Sequence, residues 1–554
     1  MTPSDESIPK PRPIRFFHRG AVVSVEGAPA TRSVLDWLRE DAGCTGTKEG
    51  CNEGDCGACT VVIAEPAASA EAIGTATART TVVGGLSLRT VNACLQFLPT
   101  LDGKALFTVE DLRRMAPDGR LHPVQQAMVT CHASQCGFCT PGFVMSLWSI
   151  DQRCRSIGVR PTRQQVADEL SGNLCRCTGY RPILDAAERM FELPPAPLDT
   201  APVLAALQAL RTESPGTFVY AAANVHAAGG DAGAPRVDHF IAPRDIDALA
   251  RVRAERPSAR VLAGCTDIGL WVTKQFRDLG DIVYLGDVPE LKRISVEPGP
   301  TGDRLVIGAG APLEDAWAAL AARRPSLTDV WMRFASPPIR NAGTMGGNLA
   351  NGSPIGDSAP VLMALDASLH LRRRDARREL PLADFYLDYM KNRLEPGEFV
   401  EAVSVPLANL VDAPDHPVRA YKISKRFDCD ISALCAGLAL CAGLAIELDG
   451  STTPPRVRAA RFAFGGLAAT VRRAARAEAA VVGRPWTEAT VHAAAAALVG
   501  DFTPLTDMRA SASYRARVSK NLLLRFWLET RAEQPLAPSE TSVFDAMRHV
   551  PLAS

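Results

Sequence analysis

The sequence predicts a multidomain α+β protein, and three observations carry that reading. The chain has 554 residues, whereas a single hydrophobic core stops growing at roughly 250–300 residues, so several cores are required. Its apolar pattern changes character along the chain: a mixed start, a helical stretch, alternating strands and helices, and finally strands followed by helices. A run rich in Pro, Ala and Gly at residues 195–235 separates a cysteine-rich first third from the remainder.

Residues 14–99 carry strand-like runs at 21–25, 60–64 and 80–83, a helical stretch at 33–40 and a glycine-rich loop, which together make a small mixed domain. Residues 100–194 place apolar side chains at helical spacing over 123–129, 142–151, 162–170 and 182–191, so four short helices are expected. After the expected linker at 195–235, residues 236–415 alternate strands (260–262, 282–284, 304–307) with helices (245–255, 313–320), an α+β domain. Residues 416–532 offer strands at 434–445 and 456–464, alanine-rich helices at 469–482 and 487–498, and a closing helix at 514–530.

Lys+Arg and Asp+Glu are equal at 61 each. A chain without net charge has no basic footprint for phosphate, so nucleic acid is not an expected partner. The first 13 residues are polar and proline-rich, which suits a tail and not a signal peptide. The longest uncharged apolar run, 433–446, is shorter than the ~20 residues that span a bilayer. A cytoplasmic protein with no membrane association is therefore expected, and in that compartment clustered C-x-x-C pairs point to metal or redox chemistry.

Eight of the fifteen cysteines form two groups. Cys51-x4-Cys56-x2-Cys59 with Cys94 downstream is the plant-type [2Fe–2S] spacing. An anionic iron–sulfide centre needs thiolates and backbone N–H groups aimed at its sulfurs, and Gly50, Gly54 and Gly57 let the backbone come close. A structural zinc site or unligated thiols are the alternatives, but zinc more often uses two C-x2–4-C knuckles. Cys44, outside the spacing, reads as a spare buried thiol. The second group is Cys136-x2-Cys139 and Cys175-x-Cys177. Thr140-Pro141 and the 178–182 run each open a helical pattern, so both pairs are expected at helix N-termini, whose dipoles favour an anionic centre. Four-sulfur zinc remains the alternative for this group taken alone. Cys131 and Cys154 lack partners at motif spacing and read as core residues.

Two small-residue runs follow. Residues 261–269 (Leu262, Ala263, Gly264, Cys265, Thr266, Asp267, Ile268) come after a strand and would let N–H groups approach a diphosphate, though they are not a G-x-G-x-x-G fingerprint. Residues 340–348 (with Thr344, Gly347, Asn348) lie between Phe334 and Asp357, and the Phe334 ring could pack on a flat heterocycle. Each run alone is a weak signal, since turns rich in Gly and Asn are common for backbone reasons.

With both cysteine groups and both glycine runs in place, residues 14–530 resemble the small iron–sulfur/FAD subunits of bacterial xanthine dehydrogenases, in the molybdenum hydroxylase family. The stretches 49–60, 135–142 and 172–180 resemble the two cluster loops, and 263–267, 344–348 and 353–357 resemble the flavin-binding segments. The resemblance implies a β-grasp plant-type ferredoxin domain, a four-helix [2Fe–2S] domain, an FAD domain of the vanillyl-alcohol-oxidase/PCMH type and a C-terminal domain of the CO dehydrogenase flavoprotein type. It implies that residues 262–268, Thr344, Gly347 and Asn348 hold the FAD diphosphate and ribose. Phe334 and Ala335 would lie by the isoalloxazine, and Asp357, Val400 and Lys422 would match other flavin contacts. Phe334, Lys422 and Asp430 are the flavin-side candidates, with no side chain assigned as acid or base. Two departures stand out: Cys429 occupies a flavin-proximal position that is acidic in the animal enzymes, and the gap from Cys59 to Cys94 is long, with an aperiodic insertion near 66–78.

The implied role is electron transfer from a molybdenum cofactor, through two [2Fe–2S] clusters, to FAD and then NAD⁺, during oxidation of hypoxanthine or xanthine to urate. Clusters move single electrons and NAD⁺ accepts a hydride, while a flavin does both. With no domain large enough for a molybdopterin site after residue 530, hydroxylation is expected on a partner large subunit, as a dimer of heterodimers. An aldehyde- or N-heterocycle-oxidising partner is the alternative within the family. From another class, a cluster-bearing sensor or scaffold without flavin is the rival, which an optical spectrum separates.

Overall fold

The computed structural model describes residues 9–67, 81–116, 119–228, 235–424, 440–507 and 510–541. Three expectations fall wholly or partly outside these residues: Cys429 and Asp430 with their neighbours, most of the insertion near 66–78, and the first half of the strand expected at 434–445.

The first domain is a six-stranded sheet in the order Ala21–Val25, Ile14–His18, Ala105–Phe107, Thr60–Pro66, Leu86–Asn92, Thr81–Val83. Only Ile14–His18 and Ala105–Phe107 pair in parallel. Strand Ile14–His18 is almost entirely buried and pairs on both edges. The stretch at 33–40 is a single α-turn, Val34–Asp36, capped by the Ser33 hydroxyl, followed by a π-helical turn at Trp37–Asp41. Helices Pro123–Thr130, Thr140–Ile157, Arg163–Glu169 and Arg181–Arg189 form the second domain as expected, and a fifth, Val109–Met115, which the spacing did not indicate, precedes them and packs Leu112 into the same core. Thr140–Ile157 is its axis: eighteen residues long, buried from Gly142 to Cys154, and ended by Gly158 at φ +67.

The segment expected as a linker is structured. Helix Ala201–Glu213 lays Val203, Leu207 and Leu210 into the core shared by the first two domains. Strand Phe218–Ala228 then joins Pro235–Ala242, Ile282–Tyr284 and Arg260–Leu262 in a four-stranded sheet. Pro, Ala and Gly dominate the composition, but i, i+4, i+7 spacing of three large apolar residues suffices to dock a helix. The chain then adds a five-stranded antiparallel sheet, Ile294–Glu297, Arg304–Gly308, Phe399–Pro406, Ser368–Arg373 and Ala376–Pro381. Its core holds Trp317, Phe334, Met345 and Leu349.

The last domain pairs Val418–Ile423, Leu440–Asp449, Arg456–Gly465 and Arg472–Arg473, covered by helices Ala475–Val481, Glu488–Asp501 and Ala512–Thr530. The helix expected at 469–482 begins only at Ala475, because Arg472–Arg473 pairs with Phe464 and Ala463 as a sheet edge. Among the described residues no helix is long and apolar enough to cross a membrane.

The two cysteine-bearing domains touch backbone to backbone. A Cβ on Gly142 would lie 2.1 Å from the Gly57 carbonyl oxygen, and one on Gly57 would lie 2.2 Å from the Gly172 oxygen. Gly142→Ala therefore must displace the main chain, and we expect a loss of about 1–3 kcal/mol. Gly216→Ala, with nothing within 4 Å, should stay within about 0.5 kcal/mol. Urea midpoints followed by far-UV circular dichroism compare the two variants.

Candidate functional site

In the first cysteine group, Cys59 and Cys94 are buried with their sulfurs 3.4 Å apart. The N–H groups of Asp55 and Cys56 each point at the Cys51 sulfur at 3.3 Å. Contact with Cys56, together with these N–H groups, holds the Cys51 thiol down at about 6, and the same contact raises Cys56. Gly50 cannot carry a side chain, since its Cβ would stand 2.8 Å from the Cys56 sulfur. Gly54 and Gly57 have φ of +79 and +69, which glycine adopts without penalty. Four thiols in a glycine-walled loop, with N–H donors aimed at sulfur, fit an anionic iron–sulfide centre. Cys44 faces the His18 ring and the Ala42 carbonyl instead.

In the second group Cys139 directly precedes helix Thr140–Ile157, with proline in its first turn. Cys175 and Cys177 precede helix Arg181–Arg189, so both pairs stand at helix N-termini. The Cys136 and Cys177 sulfurs are 3.5 Å apart. Burial, and next the neighbouring Cys175, pushes the Cys139 thiol up to about 12. Burial works against Cys175 too, yet Thr178, whose hydroxyl lies 3.2 Å from the sulfur, keeps it below the ordinary thiol range. The Tyr180 hydroxyl accepts from the Cys175 N–H at 2.9 Å, and Tyr180 has φ +68. Cys136, Cys177, Phe138 and Tyr180 are exposed, so this end of the site faces solvent. Cys154 is buried in the helical core and Cys131 packs at its edge. Among the described residues no three or more metal-ligating side chains converge on one point; the sulfurs meet in pairs.

A backbone hydrogen bond joins the two groups: the Leu174 N–H donates to the Cys56 carbonyl at 2.9 Å. Asn173, buried beside it, donates to the Gly57 carbonyl and the Thr60 hydroxyl, both at 3.1 Å.

The 262–268 segment follows strand Arg260–Leu262 and turns at Cys265, φ +64. Gly264 is packed against the second run, since its Cβ would come within 1.9 Å of the Ala342 oxygen. Thr344 caps helix Met345–Ala350 by accepting from the Gly347 N–H at 3.1 Å. Asn351 donates to Asp267 at 2.9 Å, and burial raises the Asp267 carboxyl. The Asn348 amide oxygen and the Ser358 hydroxyl are buried without a hydrogen-bond partner. Orphaned polar atoms beside two glycine-lined loops fit a dinucleotide that would supply their partners.

Phe334, Asp357 and Lys422 come together, although Lys422 lies on the first strand of the last domain. The Lys422 ammonium donates to Asp357 at 2.7 Å and lies 5.7 Å from the centre of the Phe334 ring. Ala335 has φ +49. Val400 is the second residue of strand Phe399–Pro406, paired with Leu371 inside the core. Ile268 opens the short helix Ile268–Thr273, whose end reaches the first cysteine loop: Thr273 donates to the Asn52 carbonyl at 3.0 Å and Lys274 to that of Cys51 at 2.5 Å. Gln96, two residues after Cys94, donates to the Gly264 carbonyl at 3.1 Å. Gln96, Ser358 and Lys274 lie at these loops but carry no spacing signal in the sequence. Only three-dimensional proximity reveals them.

Four domain families match the chain: a 2Fe-2S iron-sulfur cluster binding domain over residues 16–94, a [2Fe-2S] binding domain over 108–188, the FAD binding domain in molybdopterin dehydrogenase over 235–408, and the CO dehydrogenase flavoprotein C-terminal domain over 419–530. The chain thus carries two iron–sulfur domains and an FAD-binding domain. Among curated relatives, a xanthine dehydrogenase of Emericella nidulans is 29% identical over 93% of this chain. Aldehyde oxidase 4 of Cavia porcellus is 28% identical over 95%, and a nicotinate hydroxylase of E. nidulans 26% over 94%. The chain spans about two fifths of the length of these relatives. A solved carbon monoxide dehydrogenase chain from Hydrogenophaga pseudoflava matches 52% of this chain and 94% of its own, at 26% identity and a TM-score of 0.46.

Asn348→Asp places a charge where a diphosphate would lie, and we expect it to weaken FAD retention about tenfold or more. The FAD-to-protein ratio after gel filtration reads this out; an unchanged ratio contradicts it.

Proposed function

We propose that the chain is the electron-carrying arm of a xanthine dehydrogenase in the molybdenum hydroxylase family, a reading supported by its four matched domains. In this reading a partner subunit bearing a molybdenum cofactor oxidises hypoxanthine or xanthine to urate, the complex being a cytoplasmic dimer of heterodimers, and NAD⁺ is the final acceptor. The observation that carries the reading is the order in which the loops touch. The second cysteine group meets the first through Leu174 and Cys56, and the first meets the 262–268 loop through Gln96 and Gly264. A one-electron route would run along that line, from the solvent-facing Cys136 and Cys177 inward to the buried Cys59 and Cys94.

The clusters would supply single-electron transfer and the flavin the conversion to hydride transfer. Cys51, Cys56, Cys59 and Cys94 would hold one cluster; Cys136, Cys139, Cys175 and Cys177 the other. For FAD, residues 262–268, Thr344, Gly347 and Asn348 would receive the diphosphate and ribose. Phe334, Ala335, Asp357, Val400 and Lys422 would line the ring side, where the Lys422–Asp357 ion pair is buried. A second reading, a partner that oxidises aldehydes or N-heterocycles, is supported by the similar identity to an aldehyde oxidase, 28% against 29%.

In the assembled complex Cys136→Ser should retain FAD yet block flavin reduction by xanthine, seen as bleaching near 450 nm in stopped flow. Bleaching at the unmodified rate contradicts the route. Substrate assays with xanthine, aldehydes and nicotinate separate the two readings of the partner.

A further inference from the structure

Arg340 is a buried charge where three domains meet, its side chain 1% exposed. Its Nε donates to Glu314 at 2.5 Å, and Glu314 is itself buried in the first turn of helix Leu313–Arg323. Its Nη1 lies within hydrogen-bond reach of three consecutive-turn carbonyls, Phe334 at 2.9 Å, Ala335 at 3.0 Å and Met332 at 3.5 Å. Those carbonyls form the corner at which Ala335 takes φ +49, a left-handed conformation that disfavours a residue with a Cβ. Such a corner persists only when its surroundings hold it. The corner aims the Phe334 ring between Trp317, 6.1 Å away centre to centre, and the Lys422 ammonium.

The short helix that bears Arg340, Pro337–Ala342, is also the piece against which each of the three candidate cofactor loops is packed. Ile339 stands where a Cβ on Gly54 of the first cysteine loop would reach it at 2.9 Å. Ser336 and Pro338 abut Gly172, which precedes the second cysteine pair. The Ala342 carbonyl closes on Gly264. Asn341 donates to Thr90 of the ferredoxin-type sheet at 3.1 Å to the carbonyl and 3.0 Å to the hydroxyl.

We propose that Arg340, anchored by Glu314, is a positioning residue that holds the Phe334–Ala335 corner, and hence the ring-side wall of the flavin site, in its left-handed conformation. The inference rests on the flavin reading given above. Lysine cannot replace arginine here, because one ammonium lacks the planar fork that serves a carboxylate and several carbonyls at once.

The test uses the full chain loaded with iron and FAD, in three forms: unmodified, Arg340→Lys, and Arg340→Lys with Ala335→Gly. Readouts are the FAD dissociation constant from recovery of flavin fluorescence, and iron and acid-labile sulfide content. Arg340→Lys should keep iron and sulfide while the FAD constant rises about tenfold or more. Glycine adopts positive φ without the Cβ penalty, so the double variant should regain at least about threefold of that loss, although glycine lowers general stability. An FAD constant within about twofold of the unmodified chain in Arg340→Lys overturns the proposal. A double variant no better than the single one overturns it as well, since a purely structural role predicts no recovery. An unmodified chain that binds iron but no FAD overturns the flavin reading together with this inference, and so distinguishes the two failures.

Discussion

The arrangement depends on three loops approaching one another without side chains in between. Gly57 lies against Gly142 and Gly172, and Gly264 against the Ala342 carbonyl, each at a separation that a single methyl group would forbid. Electron tunnelling falls off exponentially with distance, so in the proposed route the contact of Gly57 with Gly142 and Gly172 would serve electron transfer as well as packing. Glycine here weakens local rigidity. Hydrogen bonds across the seams restore it: Leu174 to Cys56, Asn173 to Gly57, Gln96 to Gly264.

Rigid spacing also needs the domains to be locked, and the lock is ionic. Asp102, 2% exposed, takes Arg12 from the start of the chain and Arg244 from the FAD domain. Lys104 is buried among Glu65, Asp287 and the Tyr284 hydroxyl, which raises its ammonium well above its ordinary range despite desolvation. Buried pairs of this kind add little net stability, since desolvation cancels much of the attraction, but a missing partner is costly. They therefore penalise any other relative placement of the ferredoxin-type and FAD domains more than they stabilise this one.

The eight cysteines and the glycine runs were legible because their chemistry is local: a loop that wraps a centre must carry its thiols and its small residues within a few positions of each other. Helix Arg163–Glu169 was legible from the helical spacing of its apolar residues and Glu488–Asp501 from its run of alanines. What escaped was non-local. Strand Phe399–Pro406, the middle of a five-stranded sheet, has no alternation because both faces are covered. Helix Ala201–Glu213 was hidden by a linker-like composition, although Val203, Leu207 and Leu210 carried the spacing of a docked helix. Arg340 and Gln96 have meaning only once distant segments meet, and no single-sequence pattern marks them.

An anaerobic reductive titration of the purified, loaded chain tests the central claim most directly. Two [2Fe–2S] centres that take one electron each and a flavin that takes two predict uptake of about four electrons per chain, with bleaching of both chromophores. Uptake of about two electrons or fewer, or a colourless chain with zinc on the cysteines, would contradict it.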